Sequence, residues 1–172
     1  MNAAQVHLLL NHVPIIGFAL CTLLLVVAIL RRSAELQMTA LSGLFLIALI
    51  GIPTFLSGGR AEEVVEHLAG VTERAIHEHE SAAWWALALM ELAGLVALVA
   101  VVRLREGARI GGLLTAALVT ALVACATLAR TGHLGGLIRH SEIREGAAAG
   151  AARGGAPEAG ERKDEHRGRH EP

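Results

Sequence analysis

Three things are scarce in this chain, and each scarcity removes a class of function. Charge of one sign is missing: 15 Lys and Arg stand against 16 Asp and Glu, a formal net charge of -1 at pH 7. No basic stripe appears, which excludes nucleic acid as a partner, because phosphate backbones demand clustered cations. Lysine is nearly absent, with Lys163 its single instance, while Ala and Gly are abundant. That bias points to a high-GC bacterial source. Cysteine is limited to Cys21 and Cys125, each inside an apolar block. With no C-x-x-C or C-x-x-C-H, thiolate zinc sites and covalently attached c-type haem lack support, and each cysteine reads as a small core residue. No basic stretch or small-residue cleavage site accompanies the first apolar run. It therefore reads as a retained helix rather than a signal peptide.

What the chain has is hydrocarbon, in four long blocks rather than amphipathic stripes. They run from about Val6 to Leu30, from Leu36 to about Leu56 with Ser57-Gly58-Gly59 as the stop, from Ala82 to Val102, and from Ile110 to at least Ala129. Each is long enough to cross roughly 30 Å of hydrocarbon at 1.5 Å per residue. The links R-R-S-A-E and R-L-R-E-G-A-R are short, which forces antiparallel neighbours. The expected fold is all-α: an integral membrane four-helix up-down bundle over residues 1–144, in a bacterial inner membrane. Residues 145–172 are mostly Ala, Gly, Glu and Arg, with His166 and His170, and read as a disordered tail.

The short links carry Arg31, Arg32, Arg103, Arg105 and Arg109 against only Glu35 and Glu106. Between Gly59 and Glu80 the balance reverses, with Arg60 and Arg74 against six glutamates. The positive-inside rule then places the short links in the cytoplasm and both termini outside. Within the acidic segment, E-E-V-V-E-H-L reads as an interfacial helix. V-T-E-R-A-I-H-E-H-E begins the third helix early, with Thr72 as its cap.

In this topology His7, His12, His67, His77, His79, His133 and His140 all fall near the outer ends of helices. Ionisable groups at membrane depth are costly, so their gathering at one level marks a candidate shared site. His12 lies five residues beyond His7, roughly 7 Å deeper, and about 140° around the helix from it. One site cannot use both equally. Pro14 and Pro53 either shape helix ends or open the outer half of the bundle. His77, Ser81, Trp84 and Glu91 share a face of the third helix, and Glu91, at mid-span, is a candidate proton-handling residue. His79 points to another face than His77. His133 and His140 are one heptad apart, beside the G-x-x-x-G of Gly132 and Gly136. Packing is the ordinary use of such glycines, though they also supply clearance beside a flat macrocycle.

These motifs bear a family resemblance. H-x-x-x-x-H-x-P-I at His7–Ile15, a histidine just before the third span, and G-G-L-I-R-H at Gly135–His140 resemble a family of bacterial four-helix membrane proteins, the domain of unknown function 2231. The likeness covers roughly residues 5–143. Leu8 stands where that family usually has proline, and Asn11 where an apolar residue is common. Relatives of that type look like b-type cytochrome bundles and accompany Rieske-type redox domains, so the resemblance implies a redox role.

Three readings follow. In the first, b-type haem is held by histidines near the extracytoplasmic face and relays electrons from a quinone pool to another redox membrane protein. His12 is one axial ligand, and His77, His79, His133 and His140 compete for the second. In the second, a zinc or copper ion binds among His7, His12, His67, His77 and His79, aided by Glu63 and Glu66. In the third, the protein is a cofactor-free accessory subunit of a larger membrane complex.

Overall fold

A computed structural model describes residues 1–68 and 70–139. Four helices and no strand make up these residues: α1 (Ala3–Arg31), α2 (Ala34–Val65), α3 (Glu73–Arg105) and α4 (Gly111–Arg139). All four are long and apolar enough to cross a membrane. The tail expected at 145–172 lies outside the described residues.

Local chemistry sets the helix ends. Asn2 caps α1 through a capping box with Gln5, and Ser33 and Thr72 cap α2 and α3 by accepting from Leu36 and Ala75 N–H groups. Arg32 closes α1 in the left-handed region at φ 51°, giving its N–H to the carbonyls of Ala28 and Ile29. This two-residue link turns the chain back on itself. Gly107, at φ 75°, does the same after α3, where any Cβ would be strained.

The helices follow one another around a square: α1 beside α2, α2 beside α3, α3 beside α4, with α4 closing on α1 along the slimmest seam. α1 and α3 are therefore diagonal, as are α2 and α4. Phe18, Leu25, Leu41, Leu44 and Met90 are wholly buried among Ala40, Ala48, Ala93, Ala97, Ala117, Ala121 and Ala124. In lipid the outer face is as apolar as the inner one, so association rests on close contact between small residues. Gly94 shows how close: a methyl there would lie 2.6 Å from the Cβ of Ala48. Buried Thr22 and Thr54 hydroxyls donate back to the carbonyls of Phe18 and Ile50, so neither needs a partner across the bundle.

Two expectations about the elements change. Ser57-Gly58-Gly59 does not stop the second helix, and E-E-V-V does not form a separate interfacial one; α2 continues to Val65. The Ser57 hydroxyl stays on the helix by donating to the Thr54 carbonyl at 2.6 Å, and Gly58 is seated beside the His7 ring. Neither proline breaks its helix: α1 runs through buried Pro14 and α2 through Pro53. The early start of α3 at Glu73, behind Thr72, is as expected.

Candidate functional site

The burial pattern of α1 explains which histidine turns inward. Its buried residues are Pro14, Phe18, Thr22, Leu25 and Ala28, a stripe that returns every three or four positions. Extended one heptad back from Pro14, the stripe reaches His7 and misses His12. On α3 the same step back from buried Ala86 reaches His79. Both rings are half-buried and stand on diagonal helices.

Each ring is held from a different neighbour. His7 Nδ1 lies 2.8 Å from Ser57 Oγ on α2. Because that hydroxyl already gives its hydrogen to the Thr54 carbonyl, it accepts, and His7 Nδ1–H donates. His79 Nδ1 lies 3.1 Å from the carbonyl oxygen of Thr131 on α4, so it too must donate. In both neutral rings the lone pair is thereby left on Nε2. Four helices contribute to one level of the bundle: a ring from each of α1 and α3, an anchor from each of α2 and α4.

Glycines make room for these rings. A methyl at Gly135 would fall 3.1 Å from His79 Cε1, and one at Gly58 would fall 3.6 Å from His7 Cε1. The G-x-x-x-G pair plays no such part: Gly136 has open space above it and Gly132 meets only Ile15, at 3.4 Å.

The other histidines do not join the pair. His12 is exposed, its Nδ1 folded back onto the Leu8 carbonyl of its own helix at 2.6 Å. The half-buried histidine of α1 is thus His7, about 140° around the helix from His12. His77 and His133 are exposed, and His140 lies outside the described residues. His67 falls beyond the end of α2 at Val65, so it does not share a helix face with Glu63; it meets Glu66 at 3.3 Å. The set His7, His12, His67, His77 and His79 is not brought together. Among the described residues no three His, Cys, Asp or Glu side chains converge to hold a metal ion.

The polar line on α3 is partly realised. His77, Ser81 and Trp84 are exposed, and Trp84 stacks edge-on against Trp85 at 4.8 Å. Glu91 is half-buried, with Oε1 enclosed and lacking a hydrogen-bond partner among the described residues. It stands three turns of helix from His79 and does not belong to the same site.

Sequence reasoning missed Ser57 and Thr131. Their signal is an adjacency visible only in three dimensions, since each lies about fifty positions from its histidine. Compared with known proteins, the chain matches no family model, no curated protein and no solved structure.

Proposed function

We propose that the chain is a membrane redox protein holding a b-type haem between His7 and His79. The observation that supports it most is the state of the two rings. Each has Nδ1–H committed to a fixed acceptor and Nε2 turned free, on diagonal helices at one level. Ligating histidines are characteristically oriented in this way, since a hydrogen-bonded Nδ1 fixes the tautomer and makes Nε2 a stronger donor. The donor chemistry fits the group. When bound, haem supplies one-electron transfer, at a potential that axial ligation and burial tune.

The chain's own residues do the rest. Ser57 and the Thr131 carbonyl orient the rings, Gly58 and Gly135 let them sit against α2 and α4, and the apolar helices below keep water away. The arginine-rich links are assigned to the cytoplasm, which puts the histidine-bearing end and both termini at the extracytoplasmic surface of a bacterial inner membrane. Electrons would pass there between a quinone and a second redox membrane protein.

One observation favours a bare zinc or copper ion instead. The His79 ring already fills the space that Gly135 leaves, and an ion between two imidazoles needs less clearance than a macrocycle. Purified protein decides between them through a reduced-minus-oxidised absorption spectrum and metal analysis. Haem bands are the expected result. Stoichiometric zinc or copper without those bands selects the ion, and neither signal overturns both in favour of a cofactor-free accessory subunit.

A further inference from the structure

A groove of ≈ 500 Å³ opens between α3 and α4 at the histidine-bearing end, on the outside of the bundle. We propose that it binds the head group of a membrane quinone. The proposal rests on the redox reading above for its purpose, but not for the binding itself. The size is that of a small-molecule site, and the lining is mixed, with His77, Glu78, Ser81, Thr127 and Arg130 beside Ala82, Trp85 and Leu89.

The wall is graded along the helix axis. On α3, His77 and Glu78 stand at the top, Ser81 one turn below, Trp85 the next, and Leu89 the last. Across from them α4 contributes Arg130 and, beneath it, Thr127. The apolar stretch of α3 begins at Ala82, so the boundary between water and hydrocarbon crosses the groove at Ser81. Trp84 and Trp85 sit just below, where tryptophans gather at membrane interfaces. A ligand that matches this gradient has a polar head and a hydrocarbon tail.

Charge narrows the head group. The lining holds one guanidinium, Arg130, and one carboxylate, Glu78, which is also bridged to Arg74 at 2.8 Å. A lipid phosphate in the groove would face Glu78 as well as Arg130. A neutral head suits the balance better, provided it accepts hydrogen bonds, because Arg130, Ser81 and the His77 ring are donors. A quinone ring is flat, uncharged and carries two carbonyl acceptors, and the indole of Trp85 offers a face for it. The location also serves electron transfer. Glu78 adjoins His79 in sequence and Arg130 adjoins Thr131, so the groove and the His79–Thr131 hydrogen bond join the same two helices at the same level.

The test uses the full chain in phosphatidylcholine nanodiscs, titrated with decylubiquinone while tryptophan fluorescence is read. Trp84 and Trp85 are the only tryptophans, and Trp85 lines the groove, so the Trp84→Phe variant isolates the signal that reports it. The expected result is saturable quenching, with the apparent Kd raised about tenfold in Arg130→Leu and in Ser81→Leu, the loss of roughly one charge-assisted or buried hydrogen bond. Both positions are exposed, and circular dichroism confirms that each variant keeps its helices. Quenching that rises linearly and equally in all three proteins overturns the proposal. So does saturable quenching reversed by phosphatidylglycerol, which would make the groove a lipid-phosphate site. Haem bands are read on the same samples. Quenching without bands keeps the groove and removes the haem, whereas bands without saturable quenching do the reverse.

Discussion

The two halves of this bundle are built to different rules. Toward the arginine-rich links, alanines and Gly94 draw the helices into contact, and the large side chains Phe18, Leu25, Leu41 and Leu44 are sealed off completely. Toward the histidine-bearing end, half-buried rings stand among the small residues, and hydrogen bonds tie His7 to α2 and His79 to α4. The first half holds the helices at a fixed spacing. The second uses that spacing to fix one imidazole against α2 and another against α4. Stability and function should therefore respond separately to substitution in the two halves.

Phe18→Ala should have the largest effect on stability. Its ring is fully buried, and a cavity of that size costs on the order of 3 kcal/mol, here through lost contacts rather than exposure to water. Unfolding in mixed detergent micelles measures it. Gly94→Ala follows at about 1–3 kcal/mol, because the new methyl meets the Cβ of Ala48, which has no rotamer with which to yield. An unchanged unfolding curve would show that α2 and α3 are not seated as described. Ser57→Ala belongs to the other half and should leave stability nearly alone. It removes the acceptor for His7 Nδ1 and should weaken cofactor affinity by about 10–100-fold, read by titration of the apoprotein. Gly136→Ala should do least, within about 0.5 kcal/mol, since open space surrounds it. A large loss there would restore the G-x-x-x-G pair as a packing seam.

The architecture was legible because length and apolarity alone decide it. Four uninterrupted blocks and two short arginine-rich links allow little besides an antiparallel bundle, and Thr72 announced the early start of α3. The phase of each helix was harder. In a soluble helix the apolar stripe marks the inner face, but α1 is apolar all round, so hydrophobicity does not separate His7 from His12. The structure does: Pro14, Phe18, Thr22 and Leu25 form the buried stripe, and His7 lies on its extension. The end of α2 was misread for a similar reason. Ser-Gly-Gly is a stop signal in isolation, and only the neighbouring His7 and the Thr54 carbonyl reveal why it stays helical. The anchoring partners Ser57 and Thr131 had no sequence signal, because helical serines and threonines ordinarily satisfy themselves on their own backbone.

Reduced-minus-oxidised spectra of single alanine variants at His7, His79, His12, His77 and His133 test the central claim most directly. The haem bands should vanish or shift in His7→Ala and His79→Ala and persist unchanged in the other three. Unaltered bands in the first two, or their loss in His12→Ala, would contradict a site built from the diagonal pair.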